Sequence, residues 1–213
     1  MSSVSANPPG KKGYHHGALH SALIEASIAL AREGGPDRVV LREAARLAGV
    51  SHSAAYRHFA DREALLTEVS RHARAKLAAE MRRRVNRTTD PRKRLQAVGV
   101  AYIDFALNQP GLFRAAFTSH PATANDDRPD AADAESPDAT EPFEILGQVL
   151  DEAQAAGLLN PRRRPGAEIA VWSAVHGLAC LLLDGPLPTT AAAVKFATGQ
   201  VFDLIENGLL SST

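Results

Sequence analysis

Hydrophobic positions along this chain recur at helical spacing, in stretches separated by turn residues. Leu19, Ala22, Leu23, Ala26 and Leu30 form a first stripe, which Gly34-Gly35-Pro36 stops. A short second helix fits Leu41 to Ala48 and ends at Gly49, and a third runs from about His52 to Phe59. Asp61 is a good N-cap for a long fourth helix reaching about Arg83, with Leu65, Leu66, Val69, Ala73, Leu77 and Met81 as its stripe. Asp90 caps a fifth helix with Pro91 at its first position. Leu95, Val98, Tyr102, Ile103 and Ala106 line its apolar face, and Gln109-Pro110-Gly111 ends it. Leu112 to Thr118 reads as a short apolar helix. Three more follow: Phe143 to Ala156, about Gly166 to Leu183, and about Thr190 to Leu209. No segment alternates convincingly with period two. The pattern predicts an all-α protein of about nine helices.

One stretch breaks the pattern. Residues 119–142 hold seven acidic residues, six alanines and four prolines, with no Val, Ile, Leu or aromatic side chain. Such a segment cannot bury enough surface to offset its ordering entropy, so a disordered surface loop is expected there. Residues 1–12 read as a flexible arm.

Composition narrows the class. Of 213 residues 45% are apolar, enough for a substantial core. No run approaches the roughly 18–20 apolar residues of a membrane span. The opening MSSVSANPPGKKGYHHG lacks the apolar centre of a signal peptide. The one cysteine, Cys180, rules out an internal disulfide, and a reducing cytoplasm is the expected compartment. The net charge of zero hides an asymmetry. Residues 1–94 carry 18 Lys and Arg against 9 Asp and Glu, and the remainder carries 6 against 15. A basic N-terminal part suggests nucleic acid as partner, while solvated helix faces would give the same charge; charge alone leaves both open.

Val39 to Phe59, VVLREAARLAGVSHSAAYRHF, sharpens the choice. Two short helices joined by a Gly-containing turn at Ala48-Gly49-Val50-Ser51 carry the signature of a DNA-binding helix-turn-helix. Gly49 supplies the turn's backbone freedom, and Ser51 can cap the second helix. Val50, Ala55 and Phe59 are expected inside, which leaves His52, Ser53, Tyr56 and Arg57 facing out. An outward second helix is what a major groove requires, with its first residues reaching base edges. His58 and Arg62 would flank it on the phosphate side, and Arg42 is long enough to reach a guanine.

The same residues carry a resemblance. AGVSHSAAYRHFADREALL, preceded by a first helix and VLREAAR, resembles the DNA-binding domain of TetR-type transcriptional repressors over about residues 13–75. The resemblance implies phosphate contacts for Tyr56, His58 and Arg62. It places Arg42, Ser51, His52, Ser53 and Ala54 at positions used for base or backbone contact. Val40 departs from the pattern: the family often has a capping Thr there, and valine cannot cap. VWSAVHGLACLLLDGPL (171–187) and AYIDFALNQPGLFRAAF (101–117) resemble a subgroup with a Trp-x3-His-Gly segment. The resemblance further implies a regulatory and dimerisation domain over 76–213, a homodimer on a near-palindromic operator, and release by a small-molecule effector.

Other chemistries find less support. Ser53 and His52 are adjacent, so they do not face each other on a helix, and no companion acid or G-x-S-x-G elbow is present. His52 and His58 lie six apart, about 240° round a helix. His16 with His20, and His176 with Cys180, are spaced i, i+4, without a third ligand nearby. Neither an enzyme, a metal site nor a cofactor is expected. Trp172, His176 and Cys180 share one helix face, and Tyr102, Phe105, Phe113 and Phe117 are further apolar candidates. Each reads as core taken singly; together with Trp172 and His176 they can line an effector pocket between helices. Gly177 would permit close approach of a neighbouring helix. Arg82, Arg83, Arg84, Arg87, Arg92, Lys93 and Arg94 form a second basic cluster, at the far end of a helix about 30 Å long. A solvated turn remote from DNA is the expectation for it.

Overall fold

The computed structural model describes residues 12–117 and 137–210, with side chains from 17 to 117 and from 141 to 210. The expected arm, apart from Lys12, residues 119–136 of the expected acidic loop and Thr118 at the end of the expected sixth helix lie outside the described residues. Among those described there are nine α-helices and two single 3-10 turns, and the one β feature is an isolated bridge between Leu159 and Leu210.

The helices are α1 Lys12–Gly34, α2 Leu41–Leu47, α3 His52–Ala55, α4 Arg62–Val85, α5 Pro91–Asn108, α6 Pro110–Phe117, α7 Pro137–Ala155, α8 Ala167–Leu183 and α9 Ala191–Leu209. Four start at side-chain caps: Ser51 accepts from the Ala54 amide, Asp61 from Ala64, Asp90 from Arg92 and Lys93, and Thr190 from Ala193. Each such cap is worth about 1 kcal/mol. Val40 stands at the start of α2 with no side-chain cap, as valine must.

Three boundaries differ from expectation. α3 ends at Ala55 rather than Phe59, because Arg57 and His58 bond to carbonyls three residues back and tighten the chain into turns. α6 begins at Pro110, directly after α5, since proline at a first helical position loses no internal bond. α7 begins at Pro137, so residues 137–142 are helical where a disordered loop was expected. Pro142 is buried within that helix, and Glu141 pairs with Arg82 of α4, a tie that no local reading of composition reveals.

α4 is the central element. It packs against α1, α5, α6 and α7, while α8 lies against α5, α7 and α9. Leu65, Leu66, Val69, Ala73, Leu77 and Met81 form its buried face, at i, i+3, i+4 spacing. α1, α2 and α3 assemble around the start of α4, and one continuous apolar core runs from Leu23 through α4 to Leu182 and Ile205. α6 is held at both ends. A Cβ on Gly111 would sit 2.0 Å from the Ala31 carbonyl oxygen of α1, and the Ala116 carbonyl accepts from Ser70 and Arg74 of α4 at 3.1 and 3.0 Å.

Candidate nucleic-acid interface and the aromatic cluster behind it

α2 and α3 meet through a turn in which Gly49 has φ +68°, a left-handed conformation that a side chain disfavours. Ala44, Ala45 and Ala55 are completely buried where the two helices cross, and Phe59 is buried behind them. His20 of α1 stacks on Phe59, with ring centroids 4.8 Å apart. This packing fixes which face of α3 remains free. Ser51, His52, Ser53 and Arg57 are exposed, and Tyr56 is 60% exposed, unusual for an aromatic side chain. Arg42 projects beside them from α2. Arg42 and Arg57 form no ion pair among the described residues, whereas neighbouring Arg46 pairs with Glu43 at 2.9 Å. The result is a cationic, hydrogen-bonding ridge on a rigid apolar base.

Not every expected residue lies on that ridge. Ala54 is 8% exposed and faces inward, so its methyl serves packing; its amide bonds to Ser51 Oγ at 3.2 Å. Ser51 is accordingly engaged as a cap, and its hydroxyl also lies 3.2 Å from that of Ser53. His58 is half-buried, 6.2 Å from the His20 ring. Arg62 turns back into its own domain: Nε donates to the Val39 carbonyl at 2.9 Å, Nη2 to the Pro36 carbonyl at 2.8 Å, and Nη1 to Glu63 at 3.2 Å. Each pairing joins groups too far apart in sequence, or too local in geometry, for spacing to reveal.

Behind the ridge, five of the six pocket candidates come together. The Tyr102 ring meets Phe113, Phe117, Trp172 and His176 at centroid distances of 5.4, 5.8, 5.2 and 6.1 Å. Its hydroxyl lies 2.7 Å from His176 Nδ1, a hydrogen bond whose direction depends on the imidazole tautomer. Phe143 closes the group against Trp172 at 5.7 Å; its place at the edge of the acidic segment hid it from sequence reasoning. Beside the rings, between Met81, Leu146, Val171 and Val175, a gap of about 10 Å³ remains, the room of about one water. In this state the aromatic side chains fill the space themselves.

Phe105 does not belong to that group. It forms the floor of a separate cleft of about 240 Å³ between α4 and α5, ringed by Lys76, Glu80, Arg83, Arg84, Asp104 and Gln109. Within it Arg83 pairs with Glu80 and Arg84 with Asp104. These pairs belong to a wider correction. The second basic cluster, whose Arg82, Arg83, Arg87 and Lys93 are exposed as in a solvated turn, is also tied into a framework of ion pairs. Arg82 meets Glu141 of α7, Arg92 meets Glu206 of α9 at 3.2 Å, and Arg94 meets Glu152 of α7 at 2.6 Å while donating to the carbonyls of Val85 and Thr88. Gly177, expected at a close helix approach, has nothing within 4 Å of its Cβ position among the described residues.

Burial shifts the titratable groups of this interior. It lowers the pKa of His176 and pushes the Tyr102 hydroxyl far up; Cys180, whose Sγ lies 3.5 Å from His176 Nε2, is also raised, chiefly by burial. His72 on α4 is lowered by burial and then by the charges of Arg32, Lys76 and Arg71, and its Nε2 is buried without a hydrogen bond among the described residues. A histidine harder to protonate when folded takes up its proton preferentially in the unfolded chain. Its contribution is full above the unfolded value of 6.5 and is lost as the pH falls further. Thermal melts between pH 7.5 and 5 should therefore show falling stability on acidification. The slope should flatten in the double variant His72→Gln, His176→Gln; an equal slope in that variant would refute these two groups as its source.

Residues 23–69 match the family model described as bacterial regulatory proteins, tetR family, and residues 95–204 match the one described as tetracyclin repressor-like, C-terminal domain. No curated protein matches the sequence significantly. Solved structures share the fold over nearly the whole chain. A protein of unknown function from Rhodococcus sp. RHA1 is 27% identical, with a TM-score of 0.74 over 94% of this chain and 100% of its own. A tetR-family transcription regulator from Shewanella sp. PV-4 is 17% identical, with a TM-score of 0.64 over 91% and 99%. The TetR-family regulator PfmR from Thermus thermophilus is 20% identical, with a TM-score of 0.58 over 87% and 97%.

Proposed function

Because this chain belongs to the tetR family of bacterial regulatory proteins, a family of DNA-binding transcription regulators, we propose that it is a homodimeric repressor released from its operator by a small molecule. The observation that carries the DNA-reading part is the ridge on α3: a helix buried on one side presents His52, Ser53, Tyr56 and Arg57 on the other, with Arg42 alongside. In the proposed complex His52, Ser53 and Arg42 read base edges, and Tyr56 and His58 contact phosphate. Residues 13–75 act as the DNA-binding unit and 76–213 as the regulatory and dimerisation unit. The protein works in the cytoplasm and acts by binding rather than catalysis. No helix among the described residues is long and apolar enough to cross a membrane.

Dimerisation is supported by α9. The helix is rich in Val, Phe, Leu and Ile, yet Ile205 is its one buried residue. Phe196 and Leu204 are 70% and 69% exposed, and Ile169 on neighbouring α8 is 65% exposed. Apolar surface so arranged calls for a partner, and pairing α8 and α9 with their mates across a two-fold axis covers it. A dimer also places two α3 helices in successive major grooves, about 34 Å apart.

The proposed effector site is the aromatic group around Tyr102 and His176. Since the rings now occupy that space, an effector must displace them and therefore select a different arrangement of α5, α6 and α8. Reciprocity requires that operator binding weaken effector binding by the same factor.

Selection of bound sequences from a random DNA pool tests the reading. It should return near-palindromic sites with half-sites about one helical turn apart. His52→Ala should then alter the preferred sequence, at a cost of about 1–3 kcal/mol on the selected site and little on random DNA. Equal losses on both DNAs would remove His52 from base reading.

A further inference from the structure

Arg62 stands at the first position of α4, on the basic side of the domain, where a phosphate contact is the simplest expectation. Its guanidinium is spent otherwise. Nε and Nη2 hold the carbonyls of Val39 and Pro36, which lie 23 and 26 residues earlier in the chain. Nη1 reaches Glu63, and Asp37 lies 3.9 Å away. Val39 is completely buried, so its carbonyl would be an orphan acceptor without Arg62. The bond sits directly before α2, which starts without a side-chain cap.

Building on the DNA-binding reading, we propose that Arg62 is a positioning residue, a clasp that closes the segment from Pro36 to Arg62 into a ring and fixes the start of α2 to the start of α4. Everything that reads DNA lies within that ring, and α4 continues from the clasp into the core that contains Met81. A movement of α4 therefore carries α2 with it, and the direction of Arg42 follows. The planar fork is what makes this possible. It offers a donor at Nε and another at Nη2 in fixed relation, so that two carbonyls are met at once. A lysine retains the charge but carries its donors on one nitrogen at the end of a flexible stem, so it lacks the fixed pair of directions with which the fork meets the two carbonyls.

That difference supplies the test. A phosphate contact is restored by any cation, and its removal releases fewer counterions; a clasp is not restored by lysine, and its removal leaves the counterion count unchanged. Arg62→Lys and Arg62→Ala would be compared with the wild type on a selected operator across a salt series. Hydrogen exchange would be followed at residues 36–44. The clasp requires that both variants lose operator affinity by about tenfold or more. The slope of log affinity against log salt should keep its wild-type value, and exchange at the start of α2 should quicken in both. Recovery of wild-type affinity by Arg62→Lys, with Arg62→Ala lowering the slope by about 0.9 per protomer, would overturn the proposal in favour of a phosphate contact. Unchanged exchange at residues 36–44 would overturn it equally. Should Arg62→Ala fail to fold, Arg62→Lys alone carries both readouts. A wild-type protein that binds no selected DNA would defeat the DNA-binding reading, and exchange in Arg62→Lys would still decide whether the clasp exists.

Discussion

Gly111→Ala will lower the melting temperature by roughly 2 to 12 °C, through overpacking that costs about 1–3 kcal/mol. The added Cβ would lie 2.0 Å from the Ala31 carbonyl oxygen, 3.0 Å from that of Arg32 and 3.1 Å from the Ala31 carbonyl carbon. All three are backbone atoms near the end of α1, so no side-chain rotation relieves the clash. α6 must move away, and it is bound on its other side by Ser70 and Arg74 of α4. The change therefore loosens the joint between α1 and α6, where the helix-turn-helix end of the chain meets the C-terminal helices. Gly17→Ala is the matched control, since none of the described residues lies within 4 Å of its Cβ position. There the helix gains propensity, and stability should hold or rise slightly. Calorimetric melts of both variants decide the matter; a wild-type melting temperature for Gly111→Ala would mean that α1 and α6 do not approach this closely.

The second large effect concerns assembly. Phe196→Glu combined with Leu204→Glu should convert a dimer into a folded monomer and reduce operator affinity by a factor of about 100 or more, on the order of the specificity that a second half-site adds. Both side chains are more than two-thirds exposed in the single chain, so charging them leaves the protomer core intact. In a two-fold interface each substitution enters twice, so four carboxylates are buried or brought together. Sedimentation at micromolar concentration, circular dichroism and operator binding should be measured on one preparation. A double variant that stays dimeric would place the interface away from α9. One that is monomeric yet binds the operator as tightly as before would remove dimerisation from the mechanism.

Much of this protein was legible along the chain. The helix-turn-helix could be read because its determinants are local: a turn at Gly49, a cap at Ser51, and alanines at the spacing of a buried face. The caps at Asp61 and Asp90 follow the same logic, since a cap and its amide lie within three residues. Five aromatic and histidine positions could be suspected of meeting because periodicity puts each on an apolar face. Phe105 shows the limit of that inference. It is apolar and buried like its neighbours, but it turns toward α4 and a charged cleft, and composition does not distinguish one side of a buried helix from the other.

Charge was least legible. Arg82, Arg92 and Arg94 read as a solvated basic run because their partners Glu141, Glu206 and Glu152 are remote in sequence. The acceptors of Arg62 were hidden for a related reason: they are backbone carbonyls, which every residue possesses and no sequence pattern marks.

The order of residues therefore settled the helices, their caps, the turn that makes a reading head, and the identity of the side chains offered to a partner. These depend on propensity, periodicity and hydrogen bonds spanning a few residues. Tertiary packing decided which of those side chains remain free. It buried Ala54, drew Arg62 inward to Val39, wedged Gly111 against α1, and left Phe196 and Leu204 uncovered. Those outcomes depend on close packing and on pairing between groups far apart in the chain, where the energy is decided by tenths of an ångström in space and sequence distance carries almost no information.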